Sequence, residues 1–200
     1  MWQTYQRLIK QKPLLTSSIT GASVMAVGDL IAQNIKIKTS RENEENYFDY
    51  RRTFCMSVWS GVIMAPTFLL WFKKLDKWFP GNSVRSAMLK VVTNHAAVAV
   101  PFNAVALAYT VTSENLLSYV LDGVSFDKFD IYTEIKYRCE TDLFKLFLAS
   151  SSVWIPVNIL NFLFVPSHLR VLPTIFTSLA WNTFLSHTAH EDINIGKLDK

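Results

Sequence analysis

The chain has 200 residues, half of them hydrophobic, 14% aromatic and 18% charged, with a formal net charge of +4. That length suits one compact domain, and the charge falls below the roughly 25% usual in soluble domains, which argues against a water-solvated surface. The two cysteines, Cys55 and Cys139, have no metal-ligand spacing, so neither a disulfide framework nor a zinc site is expected, and no basic-aromatic motif points to nucleic acid.

In chain order, the first segment, 1–13, carries Arg7, Lys10 and Lys12, and no acid precedes Asp29. Such a basic, acid-free start is similar to a mitochondrial import sequence. It reads equally as an amphipathic interfacial helix with Trp2, Tyr5, Leu8 and Ile9 toward lipid. Long apolar runs follow at 14–35, 54–72, 88–112, 146–165 and 171–186. They are apolar nearly all round, where a soluble core helix would alternate polar and apolar faces. About 20 such residues cross a bilayer. The run at 171–186 is slightly short, so four to five spans are expected. Between the second and third runs, "KKLDKWFPGNS" forms a basic loop with a Pro80-Gly81 turn. Residues 113–145 mix apolar clusters with both charges and read as a surface amphipathic segment. The predicted fold is all-α: a single multi-span helical membrane domain over 1–200, with amphipathic interfacial helices.

Asp29 is the one charge in the first run. A central carboxylate costs about 2.5–3.5 kcal/mol on insertion scales, while the Leu, Ile and Val residues of this run return roughly 4 kcal/mol together. The helix therefore needs partners. At about 100° per residue, Ser18, Ala22, Met25, Ala26, Ala32 and Gln33 share the face of Asp29, flanked by Gly21 and Gly28, while Val24, Val27, Ile31 and Ile35 cluster opposite. Small residues permit close helix packing, so Asp29 faces protein or an aqueous cavity. It is then either a functional intramembrane acid or an acid near the span's end that caps a helix or pairs with a base such as Arg52.

The next three runs contain Pro66, Pro101 and Pro156. Each proline removes an amide and frees a carbonyl one turn earlier, which neighbours or water must satisfy. Ser151, Trp154, Asn158 and Asn161 share one face of the fourth run, either as interhelical glue or as an aqueous wall. His95 and Asn94, with Asn103 two turns on, form a weaker group. No catalytic triad, phosphate-binding glycine loop or metal cluster is assembled, so neither an enzyme nor a cofactor is expected. The expected partners are the lipid bilayer, further copies of the chain and membrane complex subunits, and not nucleic acid.

"MWQTYQRLIKQKPLLTSSITGASVMAVGDLIAQ" resembles the opening of the Mpv-seventeen/peroxisomal membrane protein family, through Trp2, Tyr5, Leu8, Pro13, Thr16, Gly28-Asp29 and Gln33. "RRTFCMSVWSGVIMAPTFLLWFKKLDKWFPG" is similar to its next block, through Arg52, Gly61, Pro66, Trp71 and Leu75. "WIPVNILNFLFVPSHLR" and "WNTFLS" match its C-terminal signature, through Trp154, Asn161-Phe162, Val165-Pro166, Arg170, Trp181 and Leu185-Ser186. The chain departs from the pattern twice: His95 and Ala96 stand where members usually carry Asp-Gln, and Asn158 replaces a usual Gln. If the missing acid lines a pore, selectivity here differs from that of the relatives. The resemblance implies a multi-span protein of the mitochondrial inner membrane or, alternatively, the peroxisomal membrane. It further implies a weakly selective channel for ions or small metabolites, with links to mitochondrial homeostasis and mitochondrial DNA maintenance. The basic N-terminus tips the location toward mitochondria. On that reading Asp29, Gln33, His95, Asn158 and Asn161 are candidate pore or helix-interface residues. The rival reading is a non-transporting scaffold or assembly factor, with the same residues as helix glue.

Overall fold

Helices make up the architecture of the computed structural model, which describes residues 2–39, 48–123 and 128–183, with no strand among them. The chain opens with α1 (Trp2–Gln11) and α2 (Pro13–Thr39). Pro13 has no N–H to give and sits at the first position of α2, where none is needed. The bend there brings Thr20 Oγ1 to 3.4 Å from the Tyr5 hydroxyl. Ile9, expected toward lipid with Trp2 and Leu8, is instead buried, on a helix that packs against α2 and a short turn at Ser167–Leu169.

The second membrane helix is one rod from Tyr50 to Trp78, built as α3 (Tyr50–Val58), a π stretch (Trp59–Met64) and α4 (Ala65–Trp78). Asp49 caps it by accepting from the Arg52 amide at 2.9 Å. It runs beyond the expected end through Lys73, Lys74 and Lys77, long side chains that can reach headgroups from a helix end. Gly81, at φ 83°, makes the turn that follows. The third rod repeats the plan with α5 (Val84–Asn94), a π stretch (His95–Ala99) and α6 (Val100–Asp122), and stops at Gly123 with φ 68°. Residues 113–122, expected in a surface segment, continue this rod. After α7 (Lys128–Thr141) comes α8 (Leu143–Phe164). Four helices, Pro13–Ile35, Tyr50–Trp78, Val84–Asp122 and Leu143–Phe164, are long and apolar enough to cross a membrane. A last helix, α9, covers 171–183, and residues 184–186 of the expected segment lie outside the described residues.

Proline accounts for both π stretches. Pro66 and Pro101 each stand second after one. A proline ring clashes with the carbonyl a turn earlier, and a wider turn relieves this: the Ala65 amide reaches back to the Ser60 carbonyl, five residues away. Pro156 lies inside α8 on an exposed face without such a stretch.

Helix α2 buries Ser17, Gly21, Met25, Asp29 and Gln33, one ridge at four-residue spacing. The second rod runs antiparallel against it, with Asp29 beside Thr53 and Ala22 beside Gly61. A Cβ on Gly61 would stand 2.8 Å from Ala22 Cβ and 2.8 Å from the Ser18 carbonyl, so the backbones meet only because that carbon is missing. Opposite the ridge, Val27, Ile31 and Ile35 are exposed as expected, but Val24 packs on the core. The main apolar core lies deeper along the second rod, where Phe68, Phe72 and Leu75 meet Val91, Phe162 and Ile175.

Candidate functional site

A polar knot ties the end of α2 to the start of α3. The Asp29 carboxylate, 1% exposed, accepts from Arg52 Nη2 at 2.7 Å, Thr53 Oγ1 at 2.6 Å and Gln33 Nε2 at 2.6 Å. Gln33 faces Asp29 because one helical turn separates them. Its amide also clamps the Asp49 backbone, accepting from that N–H at 2.7 Å and donating to that carbonyl at 3.1 Å. The charge of Asp29 is thus satisfied by three donors, one of them cationic. An exposed bidentate pair, Arg51 with Asp122, joins the third rod at the same end.

A second knot holds the opposite end. Asp76 Oδ1 accepts from Lys90 Nζ at 2.7 Å and from Arg170 Nη1. Both cations are 1% exposed, and backbone and amide oxygens supplement the single carboxylate. Lys90 also donates to the Gly81 carbonyl at 2.9 Å, and Arg170 to Asn82 Oδ1 at 3.0 Å and the Val165 carbonyl at 3.1 Å. The Phe162 ring lies 5.9 Å from the ammonium and 5.3 Å from the guanidinium, a shared π face for both. Asn161 belongs here too, donating to the Arg170 carbonyl at 2.9 Å.

Between the knots the second and third rods, α8 and α9 enclose a cavity of about 180 Å³. Both π stretches contribute to its wall, with Trp59 and Met64 from one and His95, Val98 and Ala99 from the other. Its polar lining includes Asn94, His95, Asn103, Ser150, Asn158, Thr174, Ser178 and Asn182. Trp59, Trp154 and Trp181 also line it, mixing apolar surface with indole N–H groups. Asn103 Nδ2 donates to Ser150 Oγ at 3.2 Å across the α6–α8 interface, and the Trp71 indole donates to Asn94 Oδ1 at 2.8 Å. His95 meets Ser151 Oγ at 3.1 Å from Nε2 and lies tilted by 36° against the Phe147 ring, with centroids 5.1 Å apart. The Ser151 hydroxyl gives its hydrogen to the Phe147 carbonyl, so this contact does not prepare a nucleophile.

The five candidate residues therefore fall in three places. His95 and Asn158 line the cavity, Asn161 ties down the Arg170 end, and Asp29 and Gln33 make the first knot and do not line the cavity. Of the two readings of Asp29, the structure shows pairing with Arg52. The resemblance residues spread the same way. Gly28 makes room for Leu179 of α9, Trp71 braces Asn94, Trp154 and Trp181 line the cavity, and Phe162 and Arg170 build the second knot. Pro166 leads into the Ser167–Leu169 turn, and Trp2 stacks on Tyr5 at 5.8 Å. Sequence reasoning missed Thr174, Ser178 and Asn182, which α9 brings in at four-residue spacing along a segment read only for its length. It also missed Lys90 with Asp76, since the lysine stands near the start of the third apolar run, beyond the basic loop that carries its partner, and nothing in the sequence marks it for burial.

The model of the Mpv17 / PMP22 family matches residues 131–186. The chain is 27% identical over 191 residues to "Mitochondrial inner membrane protein Mpv17" of Danio rerio, covering 96% of this chain and 98% of that protein. It is 28% identical over 188 residues to "PXMP2/4 family protein 1" of Dictyostelium discoideum, covering 94% and 84%. To "Protein SYM1" of Debaryomyces hansenii it is 26% identical over 195 residues, covering 93% and 87%. No solved structure matches it significantly.

Proposed function

Given that the chain belongs to the Mpv17 / PMP22 family, we propose that it forms a pore that passes ions or small metabolites across an organelle membrane. The mitochondrial inner membrane is the location supported by the relatives that bear its name, and the PXMP2/4 names fit the peroxisomal alternative. The observation that carries the reading is the cavity. Buried polar groups are expensive in a bilayer and are kept for packing or for a path. Asn158 is 6% exposed, lines the cavity and has no hydrogen-bond partner among the described residues. A hydrated or solute-filled path would satisfy it. Both rods with π stretches border the cavity, and a widened turn inside a helix is a recurrent mark of functional positions. Solute movement of this kind would support mitochondrial homeostasis and, through it, mitochondrial DNA maintenance.

The small cavity volume favours a second reading. About 180 Å³ lies below the roughly 300–1,000 Å³ of typical ligand pockets, and a small gap between packed helices also suits a non-transporting scaffold whose helices are fixed by two charged knots. Proteoliposomes separate the two. A pore releases trapped ions and small solutes at a rate that falls when Asn158→Leu narrows the cavity. A folded, inserted protein that releases nothing above empty liposomes leaves the scaffold.

A further inference from the structure

The cavity wall carries one side chain able to change charge in the physiological range, His95. The π stretch that holds it packs against α5, α6 and α8. Among the described side chains, the charged groups on those helices do not line the cavity: Lys90 is tied to Asp76, Asp122 to Arg51, and Arg85 and Lys145 are exposed. The Tyr109 hydroxyl on α6 donates to the Cys55 carbonyl. Among the described side chains, therefore, no carboxylate lines the cavity to offset a charge on His95.

The hydrogen bonds around it leave donors over. Ser151 Oγ lies 3.1 Å from His95 Nε2 and donates to the Phe147 carbonyl, so in the tautomer with its hydrogen on Nε2 the imidazole donates to the Ser151 lone pair. An added proton then lands on Nδ1. An indole only donates, so the Asn94 oxygen is committed to Trp71 and its NH₂, without a partner among the described residues, remains to donate. Asn158, buried at the cavity wall, brings a second amide without a partner among the described residues.

We infer that the cavity binds a small anion, a short carboxylate or a halide, between the imidazolium of His95 and the amides of Asn94 and Asn158. Its volume of about 180 Å³ admits such an ion and excludes anything of nucleotide size. The inference names the solute class of the proposed pore and so rests on that reading for transport, while binding is measurable without flux. A unit charge about 5 Å away strengthens anion binding about fourfold even at the dielectric constant of water, and more in a drier cavity.

The lining tryptophans Trp59, Trp154 and Trp181 supply the readout. Iodide quenching of the full chain in zwitterionic nanodiscs reports anion access, with acrylamide as the neutral control. From pH 8 to 5.5 the ratio of iodide to acrylamide quenching is expected to rise, by about fourfold for the three cavity indoles and by less for the whole protein, whose Trp2 and Trp78 are exposed outside the cavity. It is expected to stay flat in His95→Gln, and to rise from a lower base in Asn158→Ala. A flat ratio in the wild-type protein, which requires no variant to fold, overturns the site, as does an unchanged rise in His95→Gln. His95-dependent quenching in a protein that passes no current keeps the site and removes the pore. Current with flat quenching keeps the pore and removes the site.

Discussion

Replacing Asp29 by Asn changes one atom and separates a structural acid from a pore acid. The carboxylate accepts from Arg52, Gln33 and Thr53, all donors. An asparagine keeps one acceptor oxygen and turns an NH₂ toward the remaining donors. Gln33 cannot flip to help, since its oxygen is committed to the Asp49 N–H. Thr53 can relax, because its hydroxyl also lies 3.2 Å from the Asp49 carbonyl. Removing one partner of a buried ion pair costs about 3–5 kcal/mol. Arg52 retains 29% exposure, through which water takes up part of its charge, so the lower end applies. The expected loss is about 3 kcal/mol, roughly a hundredfold in the folding equilibrium. Steric trapping or dodecyl sulfate titration of the reconstituted protein measures it. The double variant Asp29→Asn, Arg52→Gln should lose at least 1 kcal/mol less than the sum of the single changes, about the scale of coupling between contacting residues. A loss below about 1 kcal/mol, with ion selectivity changed in surviving channels, would refute the knot and restore Asp29 to the pore.

Gly61→Val puts a branched side chain where even a Cβ meets Ala22 and Ser18 at 2.8 Å. It should cost about 1–3 kcal/mol, measured by the same unfolding assay, whereas Val62→Ala on the exposed side of the same π stretch should change little. Arg170→Gln removes the guanidinium that reaches Asp76, Asn82 and the Val165 carbonyl, and should destabilise by about 3 kcal/mol or more. Lys90 still neutralises Asp76 in that variant, so Lys90→Met combined with it should cost more than either alone. Gly81→Ala, at φ 83° with open space around it, should cost about 1–2 kcal/mol from backbone strain alone.

Much of the fold was legible because membrane helices announce themselves by uninterrupted apolar length. The buried face of α2 was legible as well, since the cost of a lone carboxylate fixes which side must meet protein. Arg52 could be named as a partner for Asp29 because the polar connection returns the chain to the same membrane end. Two features were less readable. Residues 113–122 carry two acids, Glu114 and Asp122, that suggest a surface segment, yet the helix simply continues until Gly123 turns left-handed. The cavity is assembled from residues far apart in sequence, His95 on one rod, Asn158 on α8 and Asn182 on α9. Helical period within a segment can group Asn158 with Asn161, but it cannot tell that a turn of difference sends one to the cavity and the other to the Arg170 carbonyl. The π stretches that aim Trp59 and His95 inward follow from proline sterics, whose local remedy is not written in residue type.

Single-channel recording in planar bilayers under a potassium chloride gradient, with wild type, Asn158→Leu and Asp29→Asn compared, tests the cavity as the path most directly. A conducting cavity gives discrete openings in the wild-type protein, a lower unit conductance in Asn158→Leu, and an unchanged reversal potential in those Asp29→Asn molecules that fold. A reversal potential that moves with Asp29 while Asn158→Leu conducts as the wild type does would place the path along α2 and contradict the cavity.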